Sequence, residues 1–210
     1  MVDRHGVRVV GVILAGGLSR RMGGGDKPLM DLGGRPMLQH VIARLEPQVE
    51  AIAINANGDP KRFAEFGKPV VEDTVEGHAG PLAGILSGML WAHRLDTGVT
   101  HVLTAAADTP FLPPDLAARL TEEATGQTTI AMAESDGHRH PVFALWPVAL
   151  ASDLQAWMAA TDTYKVMAWA RRHTLIMCNF ALLSDGTDPF FNANTPEELA
   201  RAEAILQKAA

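Results

Sequence analysis

The segment Leu14 to Leu29 reads L-A-G-G-L-S-R-R-M-G-G-G-D-K-P-L, and its residue types suit phosphate chemistry. Its five glycines let backbone N–H groups close on a ligand without interference from a β-carbon. Such amide nests hold phosphates, and Arg20, Arg21 and Lys27 add fixed positive charge beside them. From Gly16 to Leu29 there are three cations and one acid, in a chain whose net charge is −6. The established phosphate signatures do not fit. No third glycine completes G-x-G-x-x-G, and Lys27 stands between Asp26 and Pro28 rather than before Ser or Thr. The competing reading is a flexible surface loop with solvated charges.

Asp108 follows the apolar run Val102 to Ala107. A carboxylate at the end of a central strand can hold Mg²⁺, which takes one or two carboxylates together with substrate phosphates. It can equally cap the turn before Pro110. Asn55 and Asp73 end two further apolar runs, where each could bond a base or ribose or simply cap the following loop. Asn192 and Asn194 precede the last helix, and Asn194 could brace the turn that Thr195 caps. His138 and His140 form an H-x-H pair in a polar stretch without further metal ligands at suitable spacing, which favours a phosphate contact or an ordinary loop over zinc. Cys178 sits in an apolar run and reads as a core residue. No G-x-S-x-G elbow is present. Cations, amides and one or two carboxylates are the parts of phosphoryl or nucleotidyl transfer, where positioning and charge neutralisation dominate.

Composition narrows the setting for that chemistry. Of 210 residues, 47% are hydrophobic and 20% charged, enough apolar material for a core. Eighteen basic against 24 acidic residues argue against a general nucleic-acid binder. A single cysteine permits no internal disulfide. The first apolar run, Val9 to Ala15, is too short for a secretion signal, and no run approaches the roughly 20 residues of a membrane span. A cytoplasmic protein without membrane or nucleic-acid partners is the expectation.

The elements that must position these residues alternate along the chain. Strands are expected at Val7 to Leu14, Ala51 to Asn55, Pro69 to Glu72 and His101 to Ala107, and again at Thr128 to Ala133, Val142 to Trp146 and Leu175 to Phe180. Helices are expected at Met37 to Leu45, Pro81 to Leu95, Pro114 to Glu123, Pro147 to Met158 and Tyr164 to Arg172. Asp115 falls in the first turn of the third of these, and Glu134 to His140 reads as a polar loop. Thr195-Pro196-Glu197-Glu198 is a capping box with proline at the first helical position, opening a helix toward Lys208. Such alternation implies an α/β fold, a mostly parallel sheet with helices on both faces, in one domain spanning 1–210. Ligands of such sheets bind beyond the C-terminal ends of the strands, where Leu14, Asn55, Asp73 and Asp108 fall.

The first loop resembles the signature of the molybdenum cofactor guanylyltransferases. The resemblance continues through I-N-A-N at Ile54 to Asn57, V-E-D at Val71 to Asp73 and G-P-L-A-G at Gly80 to Gly84. It extends through A-D-T-P-F-L-P-P-D-L at Ala107 to Leu116, H-P at His140 to Pro141 and N-A-N-T-P-E-E-L at Asn192 to Leu199. The matches keep family order over almost the whole chain, whereas the first loop alone marks a broader nucleotidyltransferase superfamily. The resemblance implies a Rossmann-like three-layer sandwich that transfers GMP from GTP to molybdenum-molybdopterin and releases pyrophosphate with Mg²⁺. By matching position, Leu14, Ala15, Gly16 and Gly17 contact the nucleotide, Lys27 binds its phosphates with Arg21 beside it, and Asn55 and Asp73 belong to the GTP site. Asp108 contacts nucleotide and metal, and Asn192 and Asn194 lie on the pterin side. Transient contact with a molybdenum-inserting protein and with molybdoenzyme chaperones is implied in the same way.

Three other readings compete. A cytidylyltransferase of the same cofactor usually shows Ala-Gly where this chain has Gly16-Gly17. A sugar-phosphate nucleotidyltransferase shares the first loop. A nonenzymatic cofactor carrier would not need Lys27 and Asp108.

Overall fold

The computed structural model describes residues 6–16, 26–75, 80–95 and 97–209. Strand β1 (Val9–Leu14) is six residues without a polar side chain, flanked by β2 (Ile52–Asn55) and β4 (His101–Ala106), both parallel to it. Its side chains alternate between two cores, as the period of two in a strand requires. Val10 and Val12 enter one apolar layer and Ile13 the other.

With β3 (Val70–Val71), β5 (Ile130–Ser135), β6 (His138–Pro147) and β7 (Leu175–Phe180), the sheet order is β3-β2-β1-β4-β6-β5-β7. Every pairing is parallel except those of β6, which runs antiparallel to β4 and β5. The chain builds outward from β1 through β2 and β3, then returns to lay β4 on its other side. That reversal opens a crevice at the C-terminal ends of β1 and β4.

Helices cover both faces. On one side lie α1 (Met37–Leu45), α3 (Leu116–Glu123) and a 3₁₀ helix at Pro60–Phe66. Met37, Leu38, Val41, Ile42 and Leu45 of α1, the positions singled out by periodicity, are all buried. On the other side lie α2 (Pro81–Arg94), α4 (Ala151–Ala160) and α5 (Val166–Ala170). Trp146 is fully buried there, and its indole N–H donates to Thr104 Oγ1 at 2.8 Å. That hydroxyl in turn donates to the Val142 carbonyl at 2.8 Å, so no polar atom of the pair is orphaned. Helix α6 (Pro196–Ala209) closes a smaller cluster in which Ala193 and Ala202 meet Leu32, Met37 and Phe111.

Several expectations need correction. Residues 134–140 are not a loop but the tip of a hairpin. Strand β5 runs to Ser135, β6 starts at His138, and Asp136 and Gly137 turn between them with φ of 46° and 73°. Positive φ at both central residues defines the tight hairpin turn that Asp-Gly favours. The helix expected from Pro114 starts at Leu116, because Asp115 is its N-cap, with φ −111° and ψ 14° outside the helical region. The helix expected from Pro147 starts at Ala151, since Pro147 is still paired with His101 as part of β6. The helix expected from Tyr164 shortens to Val166–Ala170, with Lys165 extended before it. Cys178 is buried, and burial pushes its thiol pKa up, as a core residue requires.

Candidate active site

The parallel ladder continues past the strand ends and fixes the floor of the crevice. Ala15 N donates to the Asn55 carbonyl at 2.9 Å, Ala107 N to the Leu14 carbonyl at 3.1 Å, and Ala56 N to the Val71 carbonyl at 3.1 Å. The residues that follow each strand therefore emerge side by side. At Gly16 a β-carbon would come no nearer to any described residue than Asn55 Oδ1 at 3.9 Å, an ordinary contact.

Lys27 opens a short 3₁₀ turn, Lys27–Leu29, with Pro28 fixing its second position. Its ammonium donates to Asp108 Oδ2 and to Asn194 Oδ1. Lys27 and Asn194 come from opposite ends of the chain and Asp108 from its middle, and the three meet where β4 ends. The Lys27 side chain is only 14% exposed and that of Asp108 22%, so this charge pair sits in a partly desolvated cleft. Phosphate oxygens entering such a cleft would meet an ammonium already held in place. The backbone holds Asn194 there: Ala193 N donates to the Asp108 carbonyl at 3.1 Å. Thr109 Oγ1, fully buried, donates to Asn192 Oδ1 at 2.6 Å. The capping box forms as expected, with Glu198 N bonding Thr195 Oγ1 at 3.2 Å and Thr195 N bonding Glu198 Oε2 at 3.0 Å. Asn194 joins it through its own N–H, which donates to Glu198 Oε2 at 2.7 Å.

On the β2 side, Asp73 is gripped by two amides. Asn55 Nδ2 donates to its Oδ1 at 2.9 Å and Asn57 Nδ2 to its Oδ2 at 2.8 Å. Asn57 Oδ1 accepts from Asp73 N at 2.9 Å, closing a ring. Asn55 is 4% exposed and also donates to the Val71 carbonyl at 3.1 Å. It fits because residue 84 of α2 is glycine. A β-carbon there would lie 2.2 Å from Asn55 Oδ1 and 2.8 Å from Leu14 Cδ2. The result is an oriented carboxylate with lone pairs on both oxygens left for a ligand.

The expected residues thus form two groups at one sheet edge: Lys27, Asp108, Asn192 and Asn194 around the end of β4, and Asn55 with Asp73 at the end of β2. Leu14, Ala15 and Gly16 lie between them. Gly17 and Arg21 lie outside the described residues.

A family model described as a MobA-like NTP transferase domain matches residues 11–175. A protein of Mesorhizobium japonicum named molybdenum cofactor guanylyltransferase is 49% identical over 201 residues, covering 95% of this chain and 96% of its own. A protein of the same name from Rhizobium meliloti is 53% identical over 198 residues, covering 93% and 90%. The chain belongs to the molybdenum cofactor guanylyltransferase family. The crystal structure of molybdopterin-guanine dinucleotide biosynthesis protein A from Archaeoglobus fulgidus shares the fold, with a TM-score of 0.71 at 24% identity over 95% of this chain and 99% of that one.

Within this family frame, three contributors, Asn57, Gly84 and Arg62, escaped the sequence reading, and His140, read there as a phosphate contact or part of an ordinary loop, has a structural partner. Asn57 and Gly84 stood inside the matched motifs without a role, and the alternation of Asn55 with Asn57 was a signal that both could face one partner. Arg62 carried no signal, because its 3₁₀ helix lacks the 3.6-residue period. His140 bonds Ser135 Oγ at 2.6 Å, and that hydroxyl bonds Asp188 Oδ1 at 2.9 Å. This partly buried link ties the hairpin to the segment that carries Asn192 and Asn194. Burial, outweighing the nearby Asp188 carboxylate, lowers the His140 pKa.

Proposed function

We propose that this protein transfers GMP from GTP to the phosphate of molybdenum-molybdopterin, releasing pyrophosphate, as a single domain acting in the cytoplasm. The observation that carries the reading is the convergence of Lys27, Asp108 and Asn194 at the crevice between β1 and β4, in a chain of this family. Base choice has a physical rationale in Asp73. Guanine presents two adjacent donors, N1–H and the 2-amino group, and a carboxylate held by Asn55 and Asn57 offers two matching acceptors. Cytosine and adenine each place an acceptor on that edge and would set a lone pair against the carboxylate.

The acceptor phosphate is anionic at neutral pH, so its oxygen can attack the α-phosphorus in line without a strong general base. Lys27 and the Gly16 amide are proposed to bear the charge that builds on the phosphates as pyrophosphate leaves, the Ala15 N–H being taken up by the Asn55 carbonyl. Gly17 and Arg21 are proposed to serve the same phosphates, and Asn192 and Asn194 the pterin side. Asp108 fits Mg²⁺ in its donor chemistry: one carboxylate, only one oxygen of which meets Lys27, beside a place for phosphates. When bound, the ion would neutralise phosphate charge that Lys27 alone cannot. No helix among the described residues is long and apolar enough to cross a membrane. Transient contacts with a molybdenum-inserting protein and molybdoenzyme chaperones belong to the same proposal.

The test is pyrophosphate release on mixing the protein with molybdenum-loaded molybdopterin and GTP, CTP or ATP in competition. Preference for GTP by at least a hundredfold is expected, since a base mismatch leaves buried polar groups unpaired. Equal use of CTP would assign the chain to cytidylyl transfer, and nucleotide binding without pyrophosphate release would make it a carrier.

A further inference from the structure

We infer that Arg62 is a positioning residue that couples the phosphate-binding turn to the base-binding carboxylate. The inference rests on the nucleotide site proposed above. Arg62 lies on the 3₁₀ helix Pro60–Phe66, whose start is fixed by Asp59 Oδ1 accepting from Lys61 N at 3.0 Å. One arm of its guanidinium donates to Asp26 Oδ1 at 2.7 Å, and the other to the Asn57 carbonyl at 2.7 Å. Asp26 immediately precedes Lys27, and the Asn57 side chain holds Asp73. A single planar fork therefore spans the two places where the ends of a nucleotide would be gripped.

Its base is rigid. The Cζ atom sits 4.7 Å from the centroid of the Phe63 ring, and Phe63 is 1% exposed in the core against α1. The Arg62 Nε is buried and has no hydrogen-bond partner among the described residues. An orphaned buried donor is unfavourable, so the side chain is held in this pose by what its two arms reach rather than by its own full satisfaction. Lysine could not replace it, because one ammonium does not present two fixed donors at that separation. The coupling is local and physical: Asp108 to Lys27, Lys27 along one peptide to Asp26, then through Arg62 to Asn57 and Asp73. Loss of the fork would leave each binding group intact and let the spacing between them drift, and small misplacements of reacting groups cost rate.

The experiment is a double-mutant cycle with Arg62→Gln and Asp26→Asn in the full chain, reading GTP affinity by calorimetry and kcat/KM for GTP by pyrophosphate release. Each single variant is expected to lose about tenfold or more in kcat/KM with little change in Tm, and the double variant to lose no more than the worse single one. Arg62→Lys should recover only a small part, and it carries the test should Arg62→Gln fold poorly. Arg8→Gln is the control. Arg8 makes a similar two-pronged surface pair with Glu50 at the opposite end of the sheet, Nε to Oε1 at 3.0 Å and Nη2 to Oε2 at 2.6 Å, and its loss should leave GTP kinetics unchanged. Wild-type kcat/KM in Asp26→Asn, full recovery in Arg62→Lys, or losses that multiply in the double variant would overturn the coupling. Absence of pyrophosphate release from the wild-type protein would instead overturn the proposed function, and the calorimetric cycle would still decide whether Arg62 and Asp26 act as one unit.

Discussion

Replacing Gly84 with alanine puts a methyl group 2.2 Å from Asn55 Oδ1 and 2.9 Å from Asn55 Cγ. Leu14 Cδ2, at 2.8 Å, is the end of a flexible side chain and can yield, whereas the Asn55 amide is packed and nearly sealed from water. It must rotate or withdraw, and either movement breaks its bonds to Asp73 Oδ1 and the Val71 carbonyl. Overpacking costs about 1–3 kcal/mol and the two lost bonds about 2–4 kcal/mol, while alanine returns up to about 1 kcal/mol of helix propensity. A net destabilisation of roughly 2–7 kcal/mol is expected. GTP binding should weaken separately, because Asp73 loses one of the two amides that orient it. A charge-assisted bond of about 1.5–3 kcal/mol corresponds to roughly 10- to 150-fold in affinity. Gly88→Ala supplies the comparison. Its methyl would lie 2.8 Å from Val12 Cγ2, a similar steric insult against the same sheet with no site residue touched. It should cost stability and leave GTP affinity unchanged. Denaturant titration gives the stability of both variants, and calorimetry gives the affinities. Equal GTP affinity in Gly84→Ala and wild type, or equal losses in the two variants, would refute the reasoning.

Three further outcomes follow from the same geometry. Asp108→Asn keeps the backbone bond from Ala193 but removes the charge, so thermal stability should hold while turnover falls at least tenfold and the Mg²⁺ requirement rises; full turnover at unchanged Mg²⁺ would move the metal elsewhere. Lys27→Ala should lower kcat/KM for GTP by roughly 10- to 150-fold in a folded protein, since the side chain lines the cleft rather than the core, and wild-type turnover would remove Lys27 from the site. His101 has its pKa pushed down to about 4 by burial, and its Nε2 has no partner among the described residues. The unfolded chain binds this proton below pH about 6.5 and the folded chain only near 4, so stability is complete above the first value and declines as pH falls toward the second. The total loss is on the order of 3 kcal/mol, and His101→Phe should remove it, which urea titrations at pH 7 and 4.5 would show as a shallower pH dependence than wild type. Parallel pH dependence in the two proteins would refute this.

The parts of the site at the ends of parallel strands were legible because one rule places them. Val7 to Leu14 and His101 to Ala107 read as buried strands, and whatever follows neighbouring parallel strands must emerge at a common edge. Asn55, Asp73 and Asp108 were found in that way, within a residue or two of where the strands stop. The reversal of β6 was not legible, since antiparallel pairing depends on the Asp136-Gly137 turn, and that dipeptide was absorbed into a longer polar stretch. Partnerships between side chains were not legible either. Lys27 and Asn194 are 167 positions apart, and no local pattern announces that they share a proton donor and acceptor. Arg62 was invisible for a related reason, as both its partners are set by loop geometry and not by periodicity.

The anchoring of residues 188–194 to the end of β4 gives the enzyme an order of assembly. Lys27, Asn55, Asp73 and Asp108 all lie within the stretch 11–175 that the family model spans, whereas Asn192 and Asn194 come after it and are joined to it through Ala193, Thr109 and Lys27, with Asp188 bonded to Ser135. During synthesis on the ribosome, which proceeds from the N-terminus, the residues proposed to hold the nucleotide are made long before those proposed to face the acceptor. Lys27 therefore meets Asn194 only near the end of synthesis, which ties the setting of the proposed phosphate contact to the last segment of the chain.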